Sequence, residues 1–205
     1  NYACTYYPWV KTFDSDNNQY IYLPPTKDVV KNFAYTDNTA YPWFPAAGYS
    51  RGQISGVNPK KVLKLSEQDE LYGGRINFIN KFASEGMRIW GDKNLQVAES
   101  QMNRISKRRL LVRIRKLLSI ACIGLIFDPN DNTTVKSFKS AVEPILDDIR
   151  NKRGLTDYRI EVDDSQEARD RLELPAKIYL KLQPNLEYID ISFVITPSGA
   201  NFDDV

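Results

Sequence analysis

The residues best suited to chemistry in this sequence are the basic ones between positions 103 and 116. The stretch NRISKRRLLVRIRK carries seven basic residues and no acidic residue. On a helix they form two flanks, one with Arg104, Arg108 and Arg115 and the other with Arg109, Arg113 and Lys116. Such a face could bind a nucleic acid, although the helix lacks the aromatic residues that stack on bases. The alternatives are an acidic protein partner, solvent, or pairing within the chain with acids such as Glu161, Asp163 and Asp164.

The other candidate groups do not complete a catalytic or ion-binding motif. Gly73 and Gly74 follow a predicted helix and precede a predicted strand, the reverse of the order in a phosphate-binding loop, so they indicate a helix end. Asp14 and Asp16 resemble the start of a calcium loop, but its glycine and terminal glutamate are missing. The chain contains no histidine, the usual general base and metal ligand, and its two cysteines do not have zinc-site spacing. We therefore expect no catalytic residue, no metal site and no cofactor.

The basic stretch would lie on the first of two long helices. The first is predicted over residues 97–126, and its apolar second half, from Ser119 onward, is expected to be buried on most sides. The second begins at Thr133 or Thr134, contains Pro144 and ends at NKRG. One apolar stripe follows its length: Val135, Phe138, Val142, Ile145 and Ile149.

Short alternating runs predict the strands and two reversals. Residues 10–25 read as a hairpin with Asp14 to Asn18 as its turn. Residues 76–90 read as a second hairpin, or as two strands joined through a loop, with the reversal at Glu85-Gly86. A short helix before Gly73 would have Ser66 as its N-cap and Asp69 three residues on. Three further alternating runs are centred on residues 160, 180 and 192. A polar loop or short helix connects the first two.

These elements predict an α+β fold. We expect a mixed β-sheet packed by two main helices, with an aromatic and proline-rich β-hairpin and loop segment on the N-terminal side. Residues 1–65, read as strands and loops, would pack on a core of residues 66–205 to form one structural unit.

Composition is that of an ordinary globular protein. The chain has 205 residues, 42% of them hydrophobic and 26% charged, and a formal net charge of +2. The longest apolar run, residues 117–127, is too short to cross a membrane. Because the chain starts at Asn1 and not at Met, we expect a fragment or a missing start.

Six segments, in this order, resemble contractile bacteriophage (myovirus) tail sheath proteins, in particular their core or C-terminal domain. They are YYPWVKTFD, IYLPP, YPWFPAAGYSRGQISGV, LYGGRINFINKFASEGMRIWGDKNLQ, ISKRRLLVRIRKLL running into FDPND, and IDISFVITPSGANFDDV. The alternative within the same structural class is a sheath subunit of a bacterial contractile device, such as a tailocin or a type VI secretion relative. Members of this family are usually longer, with outward domains that this chain lacks.

The resemblance implies a structural protein of the virion tail, assembled in the host cytoplasm, and no enzyme. Its partners would be itself, in hexameric rings stacked as a helical sheath, the tail tube protein, and the baseplate and tail terminator proteins. Neither a nucleic acid nor a membrane is an expected partner.

The resemblance to tail sheath proteins also implies roles for particular residues. A strand shared between subunits is predicted at Tyr188, Ile189, Asp190, Ile191, Ser192, Phe193, Val194, Ile195 and Thr196. Contacts to an acidic tube are predicted at Lys136, Lys139, Lys152 and Arg153. The face formed by Arg104, Arg108, Arg109, Arg113, Arg115 and Lys116 is the rival for that contact.

Overall fold

The structure, a computed structural model, describes residues 2–189, which contain eight strands and six α-helices. The strands are β1 (Thr5–Tyr7), β2 (Val10–Asp14), β3 (Gln19–Leu23), β4 (Asn58–Pro59), β5 (Ile76–Phe82), β6 (Gly86–Trp90), β7 (Leu155–Val162) and β8 (Ala176–Leu182). The helices are α1 (Thr26–Thr39), α2 (Gly48–Arg51), α3 (Leu65–Gly73), α4 (Ile105–Cys122), α5 (Asn132–Asn151) and α6 (Gln166–Asp170). The α+β class is confirmed, with the strands divided among three small sheets.

The first sheet has the order β1-β5-β6 and is mixed, since β1 is parallel to β5 and β6 is antiparallel to it. Ile79 and Ile89 face each other across β5 and β6, and both are buried. The reversal falls at Gly86, whose φ of 72° favours glycine. The predicted hairpin is therefore confirmed as part of a core sheet.

The second sheet has the order β3-β2-β4. The predicted hairpin of β2 and β3 is confirmed, with Val10 opposite Leu23 and Asp14 opposite Gln19. Asp14 stabilises the turn because its carboxylate accepts hydrogen bonds from the Asp16 N–H and from the Asn17 side chain. Val10 packs with Ile54, Ile79 and Ile89 in one of two hydrophobic cores.

The third sheet is the antiparallel pair β7-β8, and it packs against α5. The second core lies here and in the contact between α4 and α5. It contains Trp43, Leu110, Ile114, Val142, Leu146, Ile149, Leu155 and Leu182. Of the stripe predicted for α5, Val142 and Ile149 are fully buried, and Leu146 joins them.

Three predictions about helices were wrong in detail. Residues 26–39 form α1 and not strands or loops. The first long helix starts at Ile105 and not at residue 97, because Arg104 is extended and a 3-10 turn occupies Gln101–Asn103. The short helix α3 is capped at Lys64 and not at Ser66, since the Glu67 carboxylate accepts the Lys64 N–H at 2.9 Å.

The C-terminal end of α4 is also more exposed than predicted. Ile120 and Ile123 are 62% and 68% exposed, and Phe127 is fully exposed. Among the described residues, the face of α4 that carries Leu110 and Ile114 is the one that reaches the core, where it packs with side chains of α5. Within residues 2–189, none of the helices has the combination of length and apolar character needed to cross a membrane.

Candidate functional site

A set of hydrogen bonds holds the segment after β8 against the start of α4. Arg104 Nη2 donates to the Glu187 carboxylate at 2.9 Å, and Tyr72 donates its hydroxyl proton to the same carboxylate at 3.0 Å. Lys107 Nζ donates to Asn185 Oδ1 at 2.9 Å. We call this group, with Ser106 and Asp92 beneath it, the polar clamp.

Asp92 is the buried base of the polar clamp. Its carboxylate accepts the Ser106 N–H at 3.1 Å and a hydrogen bond from the Ser106 hydroxyl. Ser106 Oγ in turn accepts the Asn185 amide N–H at 3.1 Å. Burial raises the pKa of Asp92 to about 6, although the hydrogen bonds from Ser106 and the nearby Lys107 act in the opposite direction. The clamp is therefore built on one poorly solvated carboxylate.

The predicted intersubunit strand starts at the edge of what the structure describes. Tyr188 and Ile189 are 75% and 72% exposed and belong to no strand. The other seven residues, 190–196, lie outside the described residues. The strand itself thus stays a prediction, but the polar clamp fixes the place from which it would leave.

The β7-β8 sheet offers two edges for pairing. Within the described part of the chain, each of these strands pairs only with the other. An edge strand presents unpaired N–H and C=O groups, which can accept a strand from another chain. The β7-β8 sheet can therefore accept a further strand through the backbone N–H and C=O groups at its edges.

The four predicted tube-contact residues do not form one cluster. Lys136 and Lys139 are exposed in the first half of α5, while Lys152 and Arg153 follow its end, about 24 Å away at 1.5 Å per residue. Lys152 Nζ is hydrogen-bonded to Asp148 at 2.7 Å. Only Lys136 and Lys139 form a compact exposed pair, spaced i and i+3.

Half of the rival basic face is already engaged within the chain. Arg104 belongs to the polar clamp, Arg109 pairs with Asp37 at 2.6 Å, and Arg108 lies over the Tyr2 ring. In contrast, no carboxylate among residues 2–189 comes within 4.0 Å of Arg113, Arg115 or Lys116.

The expected acidic partners of this face were the wrong ones. Glu161 pairs with Arg159 on its own strand, and Asp163 accepts the Ser165 N–H before α6. The partners found in the structure are Glu187 and Asp37. Asp37 was missed because α1 was not recognised as a helix. Glu187 was missed because 83 residues separate it from Arg104, and no local pattern reports such a contact.

The described residues contain no group of three or more His, Cys, Asp or Glu side chains arranged to hold a metal ion. What they contain is a set of surfaces: two open sheet edges, an exposed lysine pair on α5, free cations on α4, and an exposed apolar helix end. These surfaces are suited to contacts between proteins.

Comparison with known proteins agrees with this interpretation. No protein-family model matches the chain. It is 34% identical over 197 residues to the tail sheath protein of Vibrio phage KVP40, and 28% identical over 197 residues to that of Enterobacteria phage T4. Each alignment covers 94% of this chain but only 29% and 30% of the relative. The chain thus spans less than a third of the curated relatives it matches.

Solved structures with the same fold come from contractile injection systems. The contracted sheath complex of the extracellular contractile injection system PVC has a TM-score of 0.85 at 23% identity, covering 98% of this chain and 57% of that one. The contracted helical sheath of the anti-feeding prophage has a TM-score of 0.81 at 21% identity, covering 93% and 55%. The resemblance carried by the six sequence segments is confirmed, and it concerns about 30% of the length of the phage sheath proteins.

Proposed function

We propose that this chain is the part of a contractile tail sheath subunit that polymerises around an inner tail tube, and that the sheath contracts to drive the tube through the host envelope. The observation that carries the proposal is the 34% identity to a phage tail sheath protein across nearly the whole chain. In this role the protein belongs to the virion tail and is assembled in the host cytoplasm. Its function is structural and not catalytic.

The work of contraction would come from packing between copies. A sheath with two lattice arrangements releases free energy when it passes from the less stable one to the more stable one, and no covalent chemistry is required. Each subunit then needs a firm interior and adaptable surfaces. Two hydrophobic cores with exposed side chains at the end of α4 fit that requirement.

Residues 1–65 and 66–205 form one structural unit in this proposal. The support is that β1 pairs with β5 and that Trp43 packs in the same core as Leu146. A single unit would move as one body when the lattice changes.

Residues 188–196 link subunits in this proposal by adding a strand to a sheet of a neighbour. The polar clamp supports it, since Glu187 and Asn185 fix the start of the segment on α4. The open edges of β7 and β8 support it as well, since they can accept a strand. The baseplate and tail terminator proteins would contact the same edges at the two ends of the sheath.

The tube contact in this proposal uses the cations of α5, with Lys136 and Lys139 at its centre and Lys152 and Arg153 at its far end. An exposed ion pair contributes only about 0–1 kcal/mol, so many weak contacts can hold the tube and still release it. The free cations of α4 are the rival surface.

Electron microscopy of the full-length protein coexpressed with its tube protein tests the function. Striated sheaths around tubes are expected, and persistent monomers from a chain with intact termini would refute the proposal. The pair K136E and K139E should give sheath polymers without a tube, while K27E with K64E, the same charge change in α1 and at the residue before α3, should leave the tube in place. If R115E releases the tube and the α5 pair does not, the rival face is the tube contact.

A bacterial contractile device is the second candidate, because the solved sheaths of the same fold belong to PVC and the anti-feeding prophage. The higher sequence identity to phage proteins favours the phage tail. Capsid and terminase genes beside the coding sequence would decide for the phage.

A further inference from the structure

A groove between α1, α4 and the N-terminal segment has basic walls and an apolar floor. We call it the basic groove. Its volume is about 470 Å³. Arg109, Arg113 and Lys116 line one wall, while Phe33 and Val112 contribute to the floor. A ligand suited to this groove would combine negative charge with an apolar group.

The charges of the basic groove do not balance. Its lining contains four cations, Arg108, Arg109, Arg113 and Lys116, and one acid, Asp37. Asp37 is already engaged, because Arg109 Nη2 donates to both of its oxygens at 2.6 and 2.7 Å. The groove therefore has capacity for more negative charge.

The two inner arginines of the basic groove are held by aromatic rings. Arg108 lies over the Tyr2 ring and Arg109 over the Phe33 ring, with centroid distances of 4.5 and 4.7 Å. Arg108 Nε and Arg109 Nη1 are buried and have no hydrogen-bond partner among residues 2–189, so an acceptor can reach them only if the side chains turn towards the groove. Arg113 and Lys116 are exposed, and they are the cations that an acidic occupant can meet directly.

We propose that the occupant of the basic groove is the segment NFDDV, residues 201–205 of this chain. Phe202 can cover the apolar floor formed by Phe33 and Val112. Asp203 and Asp204 can accept hydrogen bonds from the guanidinium groups and from Lys116, and such charge-assisted bonds are among the stronger ones. The inference goes beyond the proposed function, since strand addition involves residues 188–196 and gives residues 201–205 no role.

Residues 190–200 connect the segment to the described part of the chain. Twelve residues lead from Ile189 to Asn201, and an extended chain of that length spans up to about 40 Å. Because the segment is tethered, its effective concentration at the groove is high even if its intrinsic affinity is modest.

Two other Phe-Asp sequences in the chain serve as internal comparisons. Phe13-Asp14 lies in β2, where Asp14 is hydrogen-bonded to the turn, and Phe127-Asp128 follows α4. Phe13-Asp14 is thus held in a strand and its turn, whereas Phe127-Asp128 lies in a turn with Phe127 fully exposed and is the rival occupant that the cross-linking test must exclude. The segment 201–205 has two adjacent carboxylates beside its aromatic ring, which matches the cluster of cations more closely.

Zero-length cross-linking with a carbodiimide tests the proposal on the full chain. Lys116 is the only lysine in the lining of the basic groove, so the expected product is an amide between Lys116 and Asp203 or Asp204, identified by peptide mass spectrometry. The variant K116R keeps the charge and should abolish this product. K136R, an equivalent change on α5, should leave it unchanged.

A charge reversal on the same helix separates the groove from general electrostatics. Arg113→Glu should reduce the yield of the Lys116 product severalfold, and adding Asp204→Arg should restore the remaining link to Asp203. Arg115→Glu is the matched control, because Arg115 is an exposed arginine of α4 outside the basic groove, and it should have little effect. Equal losses from both single variants would overturn the proposal.

The other outcomes are equally decisive. If Lys116 links only to Asp14, Asp128 or an acidic residue of the tube protein, the segment 201–205 is not the occupant. Mixing isotopically light and heavy chains shows whether a positive link lies within one molecule or between two, and either result supports the proposal. Sheaths seen by electron microscopy without the Lys116 link would remove this inference alone, and the link without sheaths would remove only the proposed function.

Discussion

Replacing Asp92 by Asn should remove a specific part of the pH dependence of folding. The Asp92 side chain is buried beneath the polar clamp, and burial raises its pKa from an ordinary value of 3.8 to about 6. One pKa unit corresponds to about 1.4 kcal/mol, so the difference between these two pKa values amounts to roughly 3 kcal/mol of free energy of unfolding. Asn keeps an oxygen that can accept the Ser106 N–H but carries no charge.

The direction of this pH dependence follows from whether the folded or the unfolded chain binds the proton more tightly. Below pH 3.8 the carboxyl group is protonated in both the folded and the unfolded chain. Between pH 3.8 and about 6 the unfolded chain releases the proton while the folded protein retains it, so stability falls as the pH rises. Well above pH 6 both states are ionised, and the stability no longer changes with pH through this group. Relative to the natural protein, the D92N variant should therefore gain about 3 kcal/mol between pH 4 and pH 7.

Urea unfolding followed by circular dichroism, repeated every half pH unit, measures this difference. Carboxylates elsewhere contribute equally to both proteins, so the difference between the two curves reports Asp92. Ser106→Ala is the control in the opposite direction, because losing a hydrogen bond to the charged carboxylate raises its pKa further and steepens the fall. Parallel curves for D92N and the natural protein would refute the reasoning.

Three further predictions concern the packing. Leu146→Ala, at a fully buried position between α4 and α5, should lower the free energy of unfolding by about 2–5 kcal/mol in urea, and a loss below 1 kcal/mol would place the residue outside the core. Gly52→Ala should lower the thermal midpoint, because a Cβ would lie 2.5 Å from a carbonyl oxygen of β6, whereas Gly73→Ala has open space and should not. Trp43→Phe should cost about 1 kcal/mol or more, since it removes the 3.0 Å hydrogen bond to the Lys152 carbonyl oxygen; an unchanged urea midpoint would contradict that assignment.

The elements found from the sequence are those with strong local patterns. The β5-β6 hairpin alternates apolar and polar residues around a glycine, and the turn of the β2-β3 hairpin contains the residue types that such turns require. The helix α5 combines a regular apolar stripe with an Asp131 cap, whose carboxylate accepts the N–H groups of the first turn. In each case the stabilising contacts lie within a few residues of one another.

The features that were missed depend on distant parts of the chain. The helix α1 buries only Val29, Asn32 and Thr36, two of them polar, so its apolar periodicity is weak. The polar clamp joins Asp92 to a segment more than 90 residues later, and residue types alone do not predict that meeting. The exposed end of α4 was predicted as buried because its composition is apolar, whereas burial requires a neighbouring element, and residues 2–189 do not place one there.

The polar clamp also determines how a pull on the C-terminal segment would be carried. Force applied beyond Ile189 meets the bonds from Glu187 to Arg104 and Tyr72 before it reaches β8. These bonds anchor the segment to the start of α4 and to α3, so the tension passes into these two helices. The hydrogen bonds between β8 and β7 are therefore not broken one after another by the pull. In a sheath whose subunits pull on one another, the helices would therefore carry the load that the C-terminal segment transmits.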